Sequence, residues 1–351
     1  MSVDQSKLEE FMAKMVGDLG AAMGAALVLI GDKLGLYQAM ARMGPVTSEE
    51  LARATGTAER YVREWLAAQA AARYAEYDPE TRRFHLTPEQ VMALADQNSP
   101  VYLAGAFEVL SSLFHDEPKV TEAFRTGQGV GWHERHQCLF SGTERFFRTS
   151  YQAHLVQEWL PSLDGVVAKL EAGAKVADVG CGHGASTIIM AKVFPKSKFV
   201  GFDYHAGSID RARQAAREAD ATAATFEVAG AKNFPGKDYD LVTFFDCLHD
   251  MGDPAGAAGH VRQSLKADGT WMIVEPLAHD DLHENLNPIG RLYYCGSTMV
   301  CTPASLSQEV GLALGAQAGE KRLVDVIRAG GFARIRRATE TPFNMILEAR
   351  P

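Results

Sequence analysis

Cysteine is scarce in this sequence. The 351 residues include five cysteines, Cys138, Cys181, Cys247, Cys295 and Cys301, and no two of them form a CxxC pair. The lack of such pairs argues against a structural zinc site of the kind that paired cysteines build. An odd, scattered set of cysteines in a chain of this length is typical of reduced thiols, so we predict a cytosolic protein.

Basic residues are outnumbered by acidic ones. The chain has 35 lysines and arginines against 44 aspartates and glutamates, which gives a formal net charge of −9. This surplus of negative charge argues against nucleic-acid binding by the chain as a whole.

An uninterrupted apolar segment of membrane-spanning length is also missing. The most apolar N-terminal stretch, residues 21–36, is interrupted by Gly24, Gly31, Asp32 and Lys33. We expect it to be too short and too broken to span a bilayer, and the residues before it do not have the pattern of a secretion signal. We therefore predict no membrane partner, and we interpret the stretch as a helix that is buried or that forms a dimer.

The first 95 residues carry the signals of a small helical domain. Thr47 and Glu50 form a capping-box pattern at the start of one helix, and a second amphipathic helix begins near Ala58. Extended stretches at 73–77 and 82–86 flank a turn and predict a short hairpin. Helix, turn, helix and a two-stranded wing are typical of a winged helix. The second helix is expected to place three side chains in the core, Tyr61, Trp65 and Leu66.

A winged helix raises the question of DNA binding. Four arginines could meet phosphates, Arg60, Arg63, Arg82 and Arg83. Glu59 and Glu64 lie on the same helix, however, and the segment has no strong basic surplus. We therefore predict that nucleic acid is not a partner, and that this domain packs against a second subunit in a homodimer.

Residues 96–165 are predicted to be a mainly helical linker rich in aromatic side chains. Such side chains suit the wall of a pocket for an organic ligand, because ligand sites are mostly apolar. His133 and His136 have a spacing that could hold a metal, but no third ligand stands out, so no metal site is predicted. The predicted substrate pocket draws four residues from this linker and two from further along the chain, namely Trp132, His133, Phe146, Tyr151, Tyr293 and Met299.

Residues 166–351 alternate between apolar strands and helices. This alternation predicts an α/β domain with a doubly wound, mostly parallel sheet covered on both faces. Two final extended stretches, 333–339 and 343–350, are separated by a turn and predict an antiparallel hairpin added to the sheet. Residues 287–306, by contrast, show no clear regular structure, and we expect either a substrate lid or an ordinary packed connection.

A glycine-rich loop follows the first strand of this domain. Asp178 lies inside the strand, and Gly180, Gly182 and Gly184 follow at steps of two. Glycines here let a ligand approach the backbone and the start of the next helix. The pattern with Ala185 also satisfies the dinucleotide motif GxGxxG/A, and Asp203 follows at the distance where an acid would hold ribose hydroxyls in either class.

The loop, the strand order and the terminal hairpin together resemble the class I S-adenosylmethionine (SAM) methyltransferases, whose loop has the form D/E-x-G-x-G-x-G. The resemblance covers about residues 165–351 and implies a seven-stranded sheet. It implies that the three glycines cradle the amino-acid end of SAM and that Asp203 binds both ribose hydroxyls. The acid that often reads adenine is missing, so Gly230 and Ala231 would contact adenine through the backbone. Asp178, Tyr204 and Asp246 complete the predicted cofactor set.

The stretch TFFDCLHDMGDP, residues 243–254, narrows the resemblance further. With the N-terminal winged helix, it resembles the LHDWSD stretch of small-molecule O-methyltransferases that dimerise through their N-terminal parts. Met251 and Gly252 depart from that pattern, whereas His249 and the aspartate after it are intact. The resemblance implies that His249 is the general base and that Glu275 orients it, with Asp246 as a second polar group.

The residues leave alternatives open. A small apolar or aromatic hydroxylated compound is the predicted substrate, but a histidine base could equally serve nitrogen or sulfur acceptors. A winged-helix regulator with a metabolite-sensing SAM-like domain would explain the N-terminal domain and the missing adenine acid. An NAD-dependent oxidoreductase would satisfy the glycine pattern.

Overall fold

A computed structural model describes residues 3–351 of the chain. The chain divides into two compact units. The first contains Met1–Ser111 and Ser141–Thr149, and the second contains Ser112–Phe140 and Ser150–Pro351. The linker predicted at 96–165 is therefore shared between both units, and the predicted domain boundaries stay predictions.

The first unit is mainly helical. Its helices are α1 (Gln5–Lys33), α2 (Leu36–Met43), α3 (Ser48–Thr55), α4 (Glu59–Ala71) and α5 (Pro88–Leu94). Strands β1 (Glu76–Asp78) and β2 (Arg83–His85) pair antiparallel as the predicted wing. The capping box at Thr47 and Glu50 is present at the start of α3. Trp65 and Leu66 are buried as expected, but Tyr61 is 81% exposed, because the inward face of α4 is formed by positions 62, 65, 66 and 69.

Helix α1 is longer and more continuous than the sequence predicted. Its glycines do not interrupt it. An apolar window within the helix has a mean hydropathy of 1.6, and 17% of that window is buried. By length and composition alone, α1 is one helix of the described residues that could cross a membrane. Its exposed apolar side chains, however, recur at helical spacing along one stripe, which suits packing against another protein surface. The stripe includes Leu8, Phe11, Met12, Met15 and Leu19.

Most of the arginines considered for phosphate contacts are paired within the first unit. Arg60 lies 2.7 Å from Glu64, and Arg63 lies 2.7 Å from Glu59. Arg83 makes a two-pronged contact with the Glu50 carboxylate, at 2.6 and 2.8 Å. These pairings reduce the positive charge that the winged helix offers, and the absence of a nucleic-acid partner stays a prediction.

The second unit contains a seven-stranded sheet in the order β5-β4-β3-β6-β7-β9-β8, which confirms the predicted fold class. Its strands are β3 (Lys175–Val179), β4 (Lys198–Asp203), β5 (Ala224–Val228), β6 (Tyr239–Phe245), β7 (Leu265–Pro276), β8 (Arg334–Glu340) and β9 (Asn344–Arg350). Pairings among β3 to β7 are parallel, and β9 pairs antiparallel with both neighbours. The carboxyl ends of the central strands therefore meet at one edge, where an open α/β sheet binds its ligand.

The remaining helices lie before these strands and between them along the chain. They are α6 (Phe107–Thr126), α7 (Cys138–Ser150), α8 (Val166–Ala172), α9 (Ala185–Val193), α10 (Ala206–Glu218), α11 (Pro254–Ser264), α12 (Pro288–Gly296), α13 (Thr302–Leu306) and α14 (Gly319–Ala329). A π-helical segment, Tyr151–Trp159, follows α7. All five cysteines are free thiols, and the cytosolic location stays a prediction.

The expectation of irregular structure at 287–306 is wrong. Helix α12, a π-helical turn at Ser297–Cys301 and α13 fill this segment. A local signal was present, because Asn287 caps α12 by accepting the Gly290 N–H at 2.8 Å and Pro288 occupies its first turn.

Candidate active site

The glycine loop joins β3 to α9 and leaves one face of its backbone open. Gly182 has φ of +52°, and a Cβ built there would meet no atom within 4 Å. Gly184, with φ of +81°, could not carry a side chain, because its Cβ would lie 2.6 Å from the Phe226 ring. Glycine therefore permits the turn at both positions, and at Gly182 it leaves space for a ligand.

Asp178 holds this loop together. One carboxylate oxygen accepts hydrogen bonds from Ser186 at 2.7 Å and Thr187 at 2.5 Å, both in the first turn of α9. The other accepts from Thr243 of β6 at 3.0 Å. Burial raises the pKa of Asp178, and these three hydrogen bonds oppose that rise. Asp178 thus fixes the loop to the sheet, while its predicted direct contact with the cofactor stays a prediction.

Asp203 ends β4 beside the same loop. Its Oδ2 accepts the Gly182 N–H at 3.0 Å, and its Oδ1 accepts the His205 N–H at 2.8 Å. Burial raises the pKa of this carboxyl, and the two backbone N–H groups counteract the rise. Each oxygen keeps a lone pair for a further donor. The next residue, Tyr204, is 48% exposed.

The loop after β5 reaches the same edge. Ala229 donates its N–H to the Asp203 carbonyl at 3.0 Å, which places the start of this loop beside the end of β4. Gly230 donates its N–H to the Asn233 side chain at 3.0 Å, and both Gly230 and Ala231 are half-buried. Contacts of these two residues with adenine stay a prediction.

His249 and Glu275 form a buried pair at the ends of β6 and β7. His249 Nδ1 lies 2.5 Å from Glu275 Oε2, and Glu275 Oε1 accepts the Leu248 N–H at 2.9 Å. His249 is 3% exposed and Glu275 is 1% exposed. Because both Glu275 oxygens are engaged, the imidazole ring is fixed and its second nitrogen, Nε2, is the one available to chemistry.

A second carboxylate lies next to that nitrogen. Asp250 Oδ1 lies 3.2 Å from His249 Nε2, yet it makes no hydrogen bond of good geometry among the described residues. Burial alone would lower the pKa of His249, but the carboxylates of Glu275 and Asp250 outweigh it and hold that pKa well above its ordinary value. In this arrangement the two carboxylates favour the protonated form of His249.

Asp246 is held in a different set of contacts. Its φ of +49° is in the left-handed region, and its N–H bonds to the Val274 carbonyl at 2.8 Å. Its carboxylate accepts from Asn344 at 2.7 Å and from the Tyr151 hydroxyl at 3.4 Å. Burial, and then the charge of Glu275, raise the pKa of Asp246 well above its ordinary value. These contacts stabilise the rim, and neither predicted role of Asp246 is tested by them.

Two of the predicted pocket residues, Tyr151 and Tyr293, lie near this rim. The Tyr151 ring packs against Phe245, with centroids 5.1 Å apart. Tyr293 is buried and donates to the Phe343 carbonyl at 2.8 Å, and the charges of Asp246 and His249 both act on it. Met299 is half-buried in the π-helical turn.

The other predicted pocket residues are more scattered. Trp132 contacts Phe140 at a centroid distance of 5.5 Å, and Phe140 stacks on His205, two residues from Asp203, at 4.7 Å. His133 is exposed. Phe146 belongs to the first unit, where its ring packs on its neighbour Phe147. Sequence reasoning did not single out Phe140 for the site, and only its aromatic character could have suggested it.

Two buried polar residues near His249 were missed. Cys301 is 8% exposed, and burial raises the pKa of its thiol to about 12. Arg135 is 6% exposed, and two of its guanidinium nitrogens, Nε and Nη2, have no hydrogen-bond partner among the described residues. Burial lowers the pKa of Arg135, whereas the charges of Asp116 and Asp250 raise it. Neither residue belongs to a local motif, so no pattern in the sequence indicated them.

The glycine at position 252, where the chain departs from the LHDWSD pattern, has a steric reason. A Cβ at this position would lie 2.5 Å from both Gln308 Cβ and the Glu309 carbonyl oxygen. The turn after His249 therefore packs directly against the segment that follows α13, and a side chain larger than hydrogen would separate them.

Comparison with known protein families matches two parts of the chain. Residues 21–96 match a family described as an Rv2258c-like winged helix-turn-helix domain. Residues 170–316, which contain the glycine loop, Asp203, His249 and Glu275, match a family described as a methyltransferase domain. This part of the chain is a methyltransferase domain. Of the two classes that the glycine pattern allowed, the match favours a methyltransferase over an NAD-dependent oxidoreductase.

Solved structures share the fold of this methyltransferase along its length. A protein from Nostoc punctiforme described as an O-methyltransferase has 18% identity and a TM-score of 0.71, covering 96% of this chain and 98% of that chain. Human N-acetylserotonin methyltransferase in complex with SAM has 16% identity and a TM-score of 0.69, with 99% of each chain covered. The mitomycin 7-O-methyltransferase MmcR has 17% identity and a TM-score of 0.67, covering 99% of this chain and 100% of that chain. A comparison with curated proteins finds no match.

The residues of the methyltransferase fit SAM. The open face at Gly182 gives the amino-acid end of SAM access to the backbone, and Asp203 keeps lone pairs for ribose hydroxyls. Both lie at the carboxyl edge of the sheet that also carries His249, so the site can bring a bound methyl donor and a proton acceptor to one edge.

Proposed function

We propose that this methyltransferase transfers a methyl group to the oxygen of a small apolar or aromatic hydroxylated compound, with His249 as general base. The observation that carries the proposal is the 2.5 Å contact between His249 Nδ1 and Glu275 Oε2. A carboxylate at Nδ1 fixes the tautomer and leaves Nε2 to take a proton. Buried aromatic side chains, Tyr151 and Tyr293 among them, suit an apolar acceptor.

Apart from this general base, the proposed reaction requires few further groups from the protein. SAM, when bound, supplies an activated methyl group. A phenol has a pKa near 10 and is a poor nucleophile at neutral pH, so His249 Nε2 accepts the hydroxyl proton as the oxygen is methylated. Glu275 stabilises the imidazolium that forms, and the proton then leaves to solvent. General-base help of this kind contributes roughly 10²–10⁴-fold to the rate.

The Asp250 carboxylate must move away from His249 Nε2 for this proton transfer. Its carboxylate lies 3.2 Å from the nitrogen that takes the proton, and it favours the protonated form of His249. The acceptor hydroxyl therefore has to displace Asp250 from Nε2, and His249 has to be neutral when the acceptor binds. Turnover should accordingly rise with pH through the raised pKa of His249.

The experiment is an acceptor screen with SAM carrying a labelled methyl group. Phenols, anilines and thiophenols built on the same aromatic ring compete directly, and mass spectrometry locates the methyl group. We expect transfer to the phenol oxygen. His249→Ala should then lower kcat by roughly 10²–10⁴-fold and leave SAM binding, measured by calorimetry, unchanged.

His283→Ala is the matched control, because His283 is an exposed histidine of the turn after β7. It should leave both kcat and SAM binding unchanged. A preference for the aniline or the thiophenol would contradict O-methylation, and loss of SAM binding in His249→Ala would contradict the base role.

A further inference from the structure

Three side chains of different chemistry meet at the free nitrogen of His249. A ring nitrogen of His249, a carboxylate oxygen of Asp250 and the Cys301 sulfur all lie within 4.8 Å of one another. Glu275 occupies Nδ1, so Nε2 is the nitrogen that faces the other two. We propose that these residues form a Zn²⁺ site, and that Zn²⁺ bound there inhibits methyl transfer.

The spacing is close to what zinc requires. Zinc takes nitrogen, oxygen and sulfur ligands at about 2.0–2.3 Å, which in a tetrahedron separates the ligand atoms by roughly 3.3–3.6 Å. The 3.2 Å between His249 Nε2 and Asp250 Oδ1 already has this length. The Cys301 sulfur has to approach by at most about 1.3 Å, given its 4.8 Å limit. Three protein ligands leave the fourth position open for water.

The surroundings of the ligands also match a metal site. Metal-binding histidines usually engage a carboxylate through the nitrogen that does not bind the metal, and Glu275 does so here at 2.5 Å. Asp250 Oδ1 is buried and lacks a hydrogen bond of good geometry. A buried carboxylate oxygen in this state is suited to bind a cation.

The two chain segments that supply the ligands are fastened together. Gln308 donates its side-chain N–H to the Asp250 carbonyl at 2.9 Å and accepts the Gly252 N–H at 3.1 Å. Ser305 donates to the Met251 carbonyl at 2.8 Å. Cys301 ends the π-helical turn just before the helix that carries Ser305, so the thiol is held against the His249 turn.

The charges around the cluster suit a divalent cation. Zinc binds cysteine as the thiolate. With that thiolate, Asp250 and Glu275 negative and Arg135 positive, the cluster has a formal charge of −2, which Zn²⁺ neutralises. A mixed set of nitrogen, oxygen and sulfur ligands selects Zn²⁺ or Co²⁺ over Mg²⁺, which prefers oxygen alone.

The inhibitory part of this proposal rests on the proposed function. His249 Nε2 is the atom proposed to accept the acceptor proton, and a lone pair bound to Zn²⁺ cannot accept it. Zinc binding, in contrast, depends only on the three ligands and does not require that His249 is a base.

Co²⁺ replaces Zn²⁺ as a spectroscopic probe of the full-length protein. Titration with Co²⁺ should produce visible bands of a tetrahedral site and a near-ultraviolet band that reports a thiolate ligand, and Zn²⁺ should displace both. Cys301→Ser should lose the near-ultraviolet band. Cys295→Ser is the matched control, because Cys295 is an exposed thiol of α12. Mg²⁺ should neither compete nor inhibit.

Calorimetry with Zn²⁺ measures affinity in the same variants. Glu275→Gln should weaken Zn²⁺ binding by about 10–100-fold, the usual effect of removing a partner of a metal-binding histidine. Calorimetry with S-adenosylhomocysteine on every variant reports whether the domain is folded. Equal Zn²⁺ affinity in Cys301→Ser and wild type, with S-adenosylhomocysteine binding intact, would overturn the site.

The activity assay separates the two parts of the proposal. Zn²⁺ should inhibit the wild type and the Cys295→Ser variant, and it should inhibit Cys301→Ser far less relative to that variant's own rate without Zn²⁺. A thiolate band without inhibition would overturn the inhibitory role and with it the base role of His249. Absence of the band would overturn the zinc site and leave the base role untouched.

Discussion

Replacing Asp203 by asparagine changes one carboxylate oxygen to an amide nitrogen at the point where SAM ribose is expected to bind. In the structure both oxygens already accept a backbone N–H, from Gly182 at 3.0 Å and from His205 at 2.8 Å. Each oxygen has one lone pair left, so the carboxylate can accept both ribose hydroxyls as well. The amide of asparagine can accept through one atom only.

The expected loss follows from one hydrogen bond. A hydrogen bond to a charged group contributes about 1.5–3 kcal/mol. Because asparagine retains one acceptor, the variant should lose one such bond to ribose, which raises the Kd for SAM by roughly 10- to 150-fold. S-adenosylhomocysteine carries the same ribose, so its Kd should rise by the same factor.

Isothermal calorimetry measures both ligands, and thermal unfolding checks that the loop is intact. Asp210→Asn is the control, because Asp210 lies on α10 with its side chain 75% exposed. An Asp203→Asn variant that binds both ligands within threefold of the wild type would refute the ribose contact. An effect on SAM alone would point to the sulfonium and not to the ribose.

Three further perturbations test other parts of the molecule. Asp250→Asn removes one of the carboxylates that raise the pKa of His249, so the acidic limb of the pH profile of kcat/KM should move to lower pH, and an unmoved limb would contradict the assignment. Leu19→Glu places a charge on the exposed stripe of α1, where Leu19 is 61% exposed, and light scattering should show a homodimer for the wild type and a monomer for the variant. Arg145 lies 2.7 Å from the buried carboxylate of Asp32, and Arg145→Gln leaves that carboxylate without this counter-ion. The substitution should lower the free energy of unfolding, measured by urea titration, by about 3–5 kcal/mol. Arg60→Gln, at the exposed pair with Glu64, should change it by less than about 1 kcal/mol.

The features predicted best from the sequence are those that a local pattern of residues determines. The capping box at Thr47, the wing, the glycine loop and the order of strands and helices all depend on residues close together in the chain. Asp203 and Glu275 could be placed as well, because parallel strands bring their carboxyl ends to one edge whatever the packing in between. Sheet topology therefore made it possible to predict the positions of these two residues, although they are far apart in the chain.

Contacts that depend on packing between distant segments could not be predicted. Asn344, which donates to Asp246, is 98 residues away from it. Cys301 reaches His249 only because the segment after β7 folds into helices, and the sequence was interpreted as irregular there. Arg135 directly follows a short helical turn, Trp132–Glu134, between α6 and α7. In each case tertiary packing determines which residues meet, and neither segment has a sequence pattern that indicates its partner.

The two carboxylates beside His249 differ in how firmly they are held, and that difference decides which one can move. Glu275 is 1% exposed, and each of its oxygens has a partner of good geometry, at 2.5 and 2.9 Å. Asp250 has a side chain that is 24% exposed, and its contact with Nε2 is longer and poorly directed. Displacing Glu275 would strand a buried charge, whereas Asp250 can rotate toward solvent or toward the unpaired nitrogens of Arg135. The same loosely held carboxylate therefore favours the protonated form of His249, and we expect it to withdraw for an acceptor and to be available as a ligand for a metal ion.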